Sequence, residues 1–443
     1  MVGHFFKLLD TFYILHYSRY MSETKKLISN SSIVFAGTII GSFFSYLFNM
    51  LAGRFLGPEK YGEFTALLSV MMILSVAGGA IMTVTMKYSS ELIAKKYFHA
   101  LNKLYKKFTK YTAIFAIFLI TFTLIFVKPI GAFFSINDVV PICITLTSFF
   151  FGFLLVVNRG VLQGGQKFFD VTISTTLEML LKLLIGVILI KIGLGVSGAM
   201  LGMILATAII YFVSLLPLNK LLKTRDDNKA EEFDFERKEI VAYTIPALIS
   251  STFLMVALNM DIILVKHYFD PETAGIYAAV STIAKIILYA TGPIVSVMFP
   301  MISEKKTTGD KHYKLLLLSF LLTFVGGLII LVAYFVAPGS IIRLLYGASF
   351  TSYYSYLPQV GIFILLYSLV NIMANYYLVL KSYTFLYFFA FVVGLQLVLI
   401  NSFHGSLVVV VKILISTTAL LFALLFGYYL ITKRAQLLRI LRG

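Results

Sequence analysis

Five ionisable residues, Glu178, Lys182, Asp261, Lys285 and Lys412, stand inside long apolar runs, and Arg54 closes another. A charge near the centre of a hydrocarbon layer costs about 2.5–3.5 kcal/mol on insertion scales, so each implies a partner or a wet cavity. Glu178 and Lys182 are four residues apart, acid first, which puts a favourable ion pair on one helix face. Such a pair can simply neutralise itself. Asp261 and Lys285 fall in successive runs. They can pair across two helices, or face a cleft as a coupling-cation site and an anion anchor. Lys412 is near enough to the end of its run to snorkel outward. Asn49, Asn259, Asn371 and Asn375 bring hydrogen-bonding groups into the runs, either for interhelical bonds or for a hydroxyl-rich ligand. The sign of the set is informative. Four bases against two acids suit a phosphate or pyrophosphate, whereas a path for organic cations favours lone carboxylates.

Other chemistry is poorly represented. Gly160-Val161-Leu162-Gln163-Gly164-Gly165-Gln166-Lys167 has Gln166 where a phosphate-binding loop needs its lysine, and it follows no strand. The histidines, His4, His16, His99, His267, His312 and His404, are scattered without metal-ligand spacing, and Cys143 is the only cysteine. No paired carboxylates or nucleophile elbow form an active-site pattern. The expectation is therefore a non-enzymatic protein with no metal and no cofactor, and H+ or Na+ as a possible coupling ion.

The elements that must position these residues follow from composition. Of 443 residues, 59% are hydrophobic and 13% charged, and mean hydropathy is +0.92. A soluble domain carries about a quarter charged residues, so most of this chain needs a bilayer as solvent. Unbroken apolar runs exclude a β-barrel and predict an all-α polytopic membrane protein. Twelve spans are expected: residues 33–53, 64–86, 111–127, 139–157, 171–190, 196–217, 240–265, 276–301, 315–337, 356–377, 384–400 and 406–431. With the N-terminus inside, 28 of the 37 Lys and Arg residues fall in inner segments and six in outer loops. Both termini are then cytoplasmic, and the net charge of +17 reports topology, with no need of nucleic acid as a partner. The segment His4–His16 is apolar but too short to span. It reads as an inner-surface amphipathic helix or, with Met21 as the true start, as no part of the protein.

The chain also contains itself twice. At an offset of 213 residues, from Pro58 to Pro271, positions 58–91 and 271–304 share 11 identities in 34. Two parallel six-helix lobes follow, residues 33–217 and 240–432. They are joined by a charged linker, 218–239, and flanked by an N-terminal segment, 1–32, and a basic tail, 433–443. Similar lobes can rock about a shared axis and expose a cleft to each side in turn. Gly37-xxx-Gly41 and Gly198-xxx-Gly202 are small-residue packing faces. Kinks are expected at Gly292-Pro293 and Pro246, and 351–356, rich in tyrosine, reads as an outer interfacial anchor.

Four stretches resemble one family. They are Ala52-Gly53-Arg54-Phe55-Leu56-Gly57-Pro58-Glu59-Lys60-Tyr61-Gly62, then Asn158-Arg159-Gly160-Val161-Leu162-Gln163-Gly164-Gly165-Gln166-Lys167-Phe168, then Asn259-Met260-Asp261 leading to Gly275-Ile276-Tyr277, and Leu344-Leu345-Tyr346-Gly347-Ala348-Ser349-Phe350. Together they are similar to the polysaccharide, or lipid-linked oligosaccharide, flippases of the multidrug/oligosaccharidyl-lipid/polysaccharide exporter superfamily. The resemblance runs from about Ser29 to the end. The lipid II flippase branch carries more spans and more intramembrane arginine, and here Arg54 alone is counted near a span. The resemblance implies translocation of a polyprenyl-(pyro)phosphate-linked oligosaccharide across the cell membrane, alongside glycan-assembly machinery and membrane lipids. It implies phosphate contacts from Arg54, Lys285 and Lys182, and the span residues Asn49, Asn259 and Asn375 offer hydrogen bonds for the sugars of such a ligand. Asp261 and Glu178 are then the candidates for ion coupling. The competing expectation is a cation-coupled multidrug or small-solute antiporter on the same fold; a membrane transferase or polymerase would need long acidic outer loops, which are missing.

Overall fold

The computed structural model describes residues 23–223, 237–308 and 313–442. The segment His4–His16, the alternative start at Met21 and residues 224–236 of the linker lie outside the described residues. Among the described residues the chain is helical throughout, with no strand. Among the described residues ten apolar stretches are long enough to cross a bilayer, and two of them, Ile33–Ala94 and Phe168–Leu222, are 62 and 55 residues long.

Both long stretches are hairpins. Helix α1 (Glu23–Ala94) is broken at Gly57, whose φ of 75° and ψ of 171° suit glycine, and Pro58 follows without an N–H to continue the ladder. Phe48 and Phe64 lie on either side of this break with ring centroids 5.7 Å apart. Sixteen residues of straight helix would separate them by about 24 Å. The second hairpin joins α5 (Phe168–Leu189) to α6 (Gly195–Leu222) through a π turn at Ile190–Leu194, with positive φ at Gly193 and Gly195. The two arms touch where a Cβ on Gly202 would lie 2.3 Å from the Gly186 Cα. Each hairpin crosses twice, so the ten stretches make the twelve spans read from the sequence. The chain is a multi-pass membrane protein. Its rim keeps large apolar side chains in the open, Phe118 at 63% and Val336 at 78% exposure among them, as contact with lipid requires.

The first lobe is completed by α2 (Phe98–Ile125), the short α3 (Val127–Phe133) and α4 (Val140–Gly164). The second holds α7 (Arg237–Tyr268), α8 (Pro271–Ala284), α9 (Ile286–Thr308), α10 (Tyr313–Val336), α11 (Pro338–Leu345), α12 (Tyr356–Leu380), α13 (Phe385–Ser402) and α14 (Leu407–Arg442). The repeat has a physical signature. Gly62 and Gly275, equivalent at the 213-residue offset, touch each other: a Cβ on Gly62 would lie 3.0 Å from the Gly275 Cα. Residues that meet their own counterpart lie on the pseudo-two-fold axis, as at any isologous contact. Only glycine permits the approach, since a Cβ on Gly275 would lie 1.7 Å from the Pro58 carbonyl oxygen.

Several local features can be placed. The helical run is interrupted at Lys285, between α8 and α9, and continues through Gly292-Pro293. Pro246 lies within α7 without a break. In the 351–356 segment Tyr354 is exposed and Tyr353 and Tyr356 are half-buried, while Phe350, just before it, is planted in the interlobe core. Gly37 and Gly198 do serve packing: Gly37 faces Thr172 of α5, and Gly198 faces the Leu189 backbone.

Candidate functional site

A cavity of about 680 Å³ runs along the inside of the first lobe, between both arms of α1, α4, α5 and α6, and is closed over by α7, α8 and α9 of the second. It reaches the side of the lysine-rich segments at Gln163 and Phe168 and ends deep in the molecule at Asn49, Thr282, Lys285 and Tyr289. Its charged lining consists of Arg159, Glu178, Lys182 and Lys285, three bases against one acid. Ser45, Thr65, Ser69 and Ser75 add hydroxyls, while Met71, Met203 and Phe153 keep much of the wall apolar.

The first-lobe cluster is built on one buried carboxylate. Glu178 Oε2 accepts from Arg159 Nη2 at 2.8 Å, and Oε1 accepts from Lys182 Nζ at 3.0 Å and from Thr207 Oγ1 at 2.8 Å. Arg159 Nε and Nη2 also donate to Ser174 Oγ at 3.2 and 3.1 Å. The Glu178–Lys182 pair foreseen from the spacing is present, but it has a second cation. By hydropathy Arg159 counts among the inner loop charges, because the apolar run ends near Val157. Helix α4 continues to Gly164, which carries Arg159 inside the span and onto the cavity wall. The sequence count of Arg54 alone near a span is therefore one arginine short.

The second-lobe cluster is a ladder between antiparallel α7 and α8. Tyr277, Ser281 and Lys285 follow at intervals of four and share one face of α8. Tyr277 Oη and Ser281 Oγ donate to Asp261 Oδ2 at 2.8 and 3.1 Å, and Lys285 Nζ donates to Asn259 Oδ1 at 3.1 Å. Asn259 and Asp261 are two residues apart, about 200° around the helix. Asn259 therefore lines the cavity with Lys285, while Asp261 does not. Asp261 and Lys285 form no ion pair among the described residues, and Asp261 Oδ1 is buried without a partner.

Other expected site residues separate from this pair of clusters. Asn49 lines the cavity, its amide donating to the Ser45 carbonyl at 2.9 Å. Asn375 does not reach it and donates to the carbonyl and side chain of Asn371 at 2.9 and 3.0 Å. Lys412 is exposed at the rim, as snorkelling requires. Arg54 is also outside the cavity. Its guanidinium donates to the carbonyls of Leu344 and Leu345, the free carbonyl end of α11, the Nε–Leu345 bond being 2.7 Å. A cation there satisfies orphan acceptors and the negative end of the helix.

Arg54 belongs to a closure that sequence reading missed. Tyr61 Oη lies 2.9 Å from Tyr346 Oη and donates to Thr282 Oγ1 at 3.3 Å, all at the end of the lobes far from the lysine-rich segments. The Tyr346 ring packs on Gly53, and Phe133 stacks on His267 at 4.0 Å, with His267 Nδ1 2.7 Å from the Phe133 carbonyl oxygen. The lobes are thus joined across the far end, and the cavity is shut off there. At the same end Asp270 caps α8 by accepting the Thr273 N–H at 2.9 Å, which holds its carboxyl below the usual aspartate range.

A family model described as polysaccharide biosynthesis protein matches residues 27–306, more than half of the sequence. The chain belongs to that family. A search of curated proteins finds no significant match. Among solved structures, the fold is similar to the inward-facing conformation of a multidrug resistance MATE family transporter of the MOP superfamily, with a TM-score of 0.68 and 15% identity, over 90% of this chain and 99% of that one. It is similar to the lipid II flippase MurJ in an inward closed conformation, with a TM-score of 0.68 and 16% identity, over 91% and 87% of the two chains. A third likeness is the MATE multidrug transporter DinF-BH, with a TM-score of 0.65 and 16% identity, over 93% and 97%. This polysaccharide biosynthesis family member therefore shares its fold with these MATE transporters and with the lipid II flippase.

Proposed function

We propose that this exporter translocates a polyprenyl-(pyro)phosphate-linked oligosaccharide from the inner to the outer leaflet of the cell membrane, by alternating access, for surface polysaccharide assembly. The observation that carries the reading is the charge of the cavity: Arg159, Lys182 and Lys285 against Glu178 alone. In a partly dry site, two or three fixed cations favour a phosphate and repel an organic cation. Hydroxyls from Ser45, Thr65 and Ser69 and the amides of Asn49 and Asn259 suit sugar hydroxyls near the phosphate. The positive-inside distribution supports cytoplasmic termini, and on that orientation the cavity opens inward while the Tyr61–Tyr346 closure faces out. Asp261, with Oδ1 unpartnered, is the proposed site of H+ or Na+ coupling. Glu178 suits that role less, because both of its oxygens already hold donors.

The test is genetic complementation. Cells lacking the chain should lose surface glycan and accumulate its lipid-linked precursor, and a Lys182→Gln/Lys285→Gln double variant that still inserts in the membrane should fail to restore export. Normal glycan in the deletion strain, with changed susceptibility to cationic dyes, would favour the multidrug antiporter.

A further inference from the structure

We propose that Arg159 and Lys182 form the seat for the phosphate group, and that Glu178 is a built-in stand-in anion which the incoming phosphate displaces. The inference rests on the translocation reading above and adds the place of the headgroup and the role of the acid. Three helices meet here: Arg159 comes from α4, Glu178 and Lys182 from successive turns of α5, and Thr207 from α6. The two cations grip opposite oxygens of one carboxylate, at 2.8 and 3.0 Å, much as they would grip two oxygens of a phosphate. All three side chains line the cavity, Glu178 at 7% exposure and Arg159 and Lys182 at 14% and 16%.

Donors are left over. Of the five guanidinium N–H groups and three ammonium N–H groups that these side chains carry, the recorded bonds use only Arg159 Nε and Nη2 and one Lys182 donor. The seat holds two positive charges and one negative, so a phosphate can enter on the spare donors before it takes those held by Glu178. Thr207 remains to hold the released carboxylate at 2.8 Å. The arrangement reconciles two needs of a translocator. An empty cationic seat would bind its anion too tightly to let go, and unpaired cations would be costly in the span. A resident carboxylate keeps the cations aligned when the seat is empty and competes for them when the substrate must leave.

The decisive variant is Glu178→Gln, which keeps the shape and the Thr207 bond but removes the competing charge. Binding to the purified full-length protein in detergent is measured by calorimetry with farnesyl pyrophosphate, inorganic pyrophosphate and farnesol as probes. Comparing the first two separates a lipid headgroup from a free phosphate. Glu178→Gln should tighten farnesyl pyrophosphate binding by about tenfold, and Arg159→Gln and Lys182→Gln should each weaken it by about tenfold or more. Arg159→Lys, which retains the charge, should recover part of the loss. Thermal melts of each variant report folding separately, so a loss of stability is not read as a loss of binding. Weaker or unchanged binding by a folded Glu178→Gln protein overturns the stand-in role. If Lys285→Gln abolishes binding and the Arg159 and Lys182 variants do not alter it, the seat is elsewhere and the translocation reading stands. If the wild-type protein binds neither pyrophosphate probe, the translocation reading fails with it.

Discussion

The two polar clusters differ in how they treat a buried carboxylate. In the first lobe Glu178 is held by two cations and a hydroxyl, and the whole group faces the cavity. In the second, Asp261 is held by the neutral Tyr277 and Ser281 and faces away, and the nearby Lys285 turns to Asn259. The scaffold was duplicated but the chemistry was not. At the 213-residue offset Arg159, Glu178 and Lys182 correspond to Ile372, Phe391 and Leu395, while Asp261 and Lys285 correspond to Phe48 and Met72. Repetition thus supplies the pseudo-two-fold closure at Gly62 and Gly275, and divergence supplies a charged, asymmetric interior.

The contrast can be broken most forcefully by removing one cation from each cluster. Arg159→Ala strands part of a buried ion pair and should cost about 3 kcal/mol, whereas Lys285→Gln leaves only neutral groups and should cost under about 1 kcal/mol. Melts in detergent measure both, and equal losses would erase the distinction. Transport should nevertheless fall in both variants. Asp261→Asn comes next. The Asn oxygen still accepts from Tyr277 and Ser281, so stability should change by about 1–2 kcal/mol at most, while the dependence of transport on Na+ or pH should be lost. An unchanged dependence removes Asp261 as the coupling site.

Two residues outside the clusters give smaller effects and serve as controls. Arg54→Ala should weaken the far-end closure by about 1 kcal/mol or less, its partners being exposed carbonyls, and leave pyrophosphate binding unchanged; lost binding would return Arg54 to the site. Asp270→Ala should cost about 1 kcal/mol at neutral pH through its lost cap. Because the folded-state pKa of Asp270 is depressed, that stabilisation is present above the unfolded value of about 3.9 and disappears as pH falls through the folded one. Melting curves of the two proteins should therefore converge in acid.

Much of the fold was legible because bilayer thickness, positive charge and turn residues each leave a mark on sequence. Gly57-Pro58 and the glycines at 193 and 195 sit where the long helices fold back. Less of the site was legible. Arg159 was missed because hydropathy ends a span where polarity rises, whereas the helix ends only at Gly164. The available signal was helical phase: Asn158, bonded to Ser214 at 2.8 Å, and Arg159 continue α4 with no proline and only the single Gly160 before the Gly164-Gly165 pair. Depth alone left Asp261 and Lys285 able either to pair or to face a cleft. Depth does not fix azimuth, and the two-residue step from Asn259 to Asp261 decides which of them meets the lysine. Arg54 and Tyr61 were beyond sequence reasoning for another reason: their partners, Leu344, Leu345 and Tyr346, lie nearly 300 residues away and are chosen by how the lobes dock.

The most direct test of a cationic cavity that moves a phosphate-linked lipid is a reconstituted flipping assay. The purified protein is placed in liposomes carrying a fluorescent polyprenyl-pyrophosphate-linked sugar, and a membrane-impermeant quencher reports the leaflet. Quenching should proceed beyond the outer-leaflet fraction with wild-type protein and fall back to that fraction with Lys182→Gln/Lys285→Gln. Quenching that stops at the outer-leaflet fraction with folded wild-type protein, or equal movement of an uncharged polyprenol-linked sugar, would contradict it.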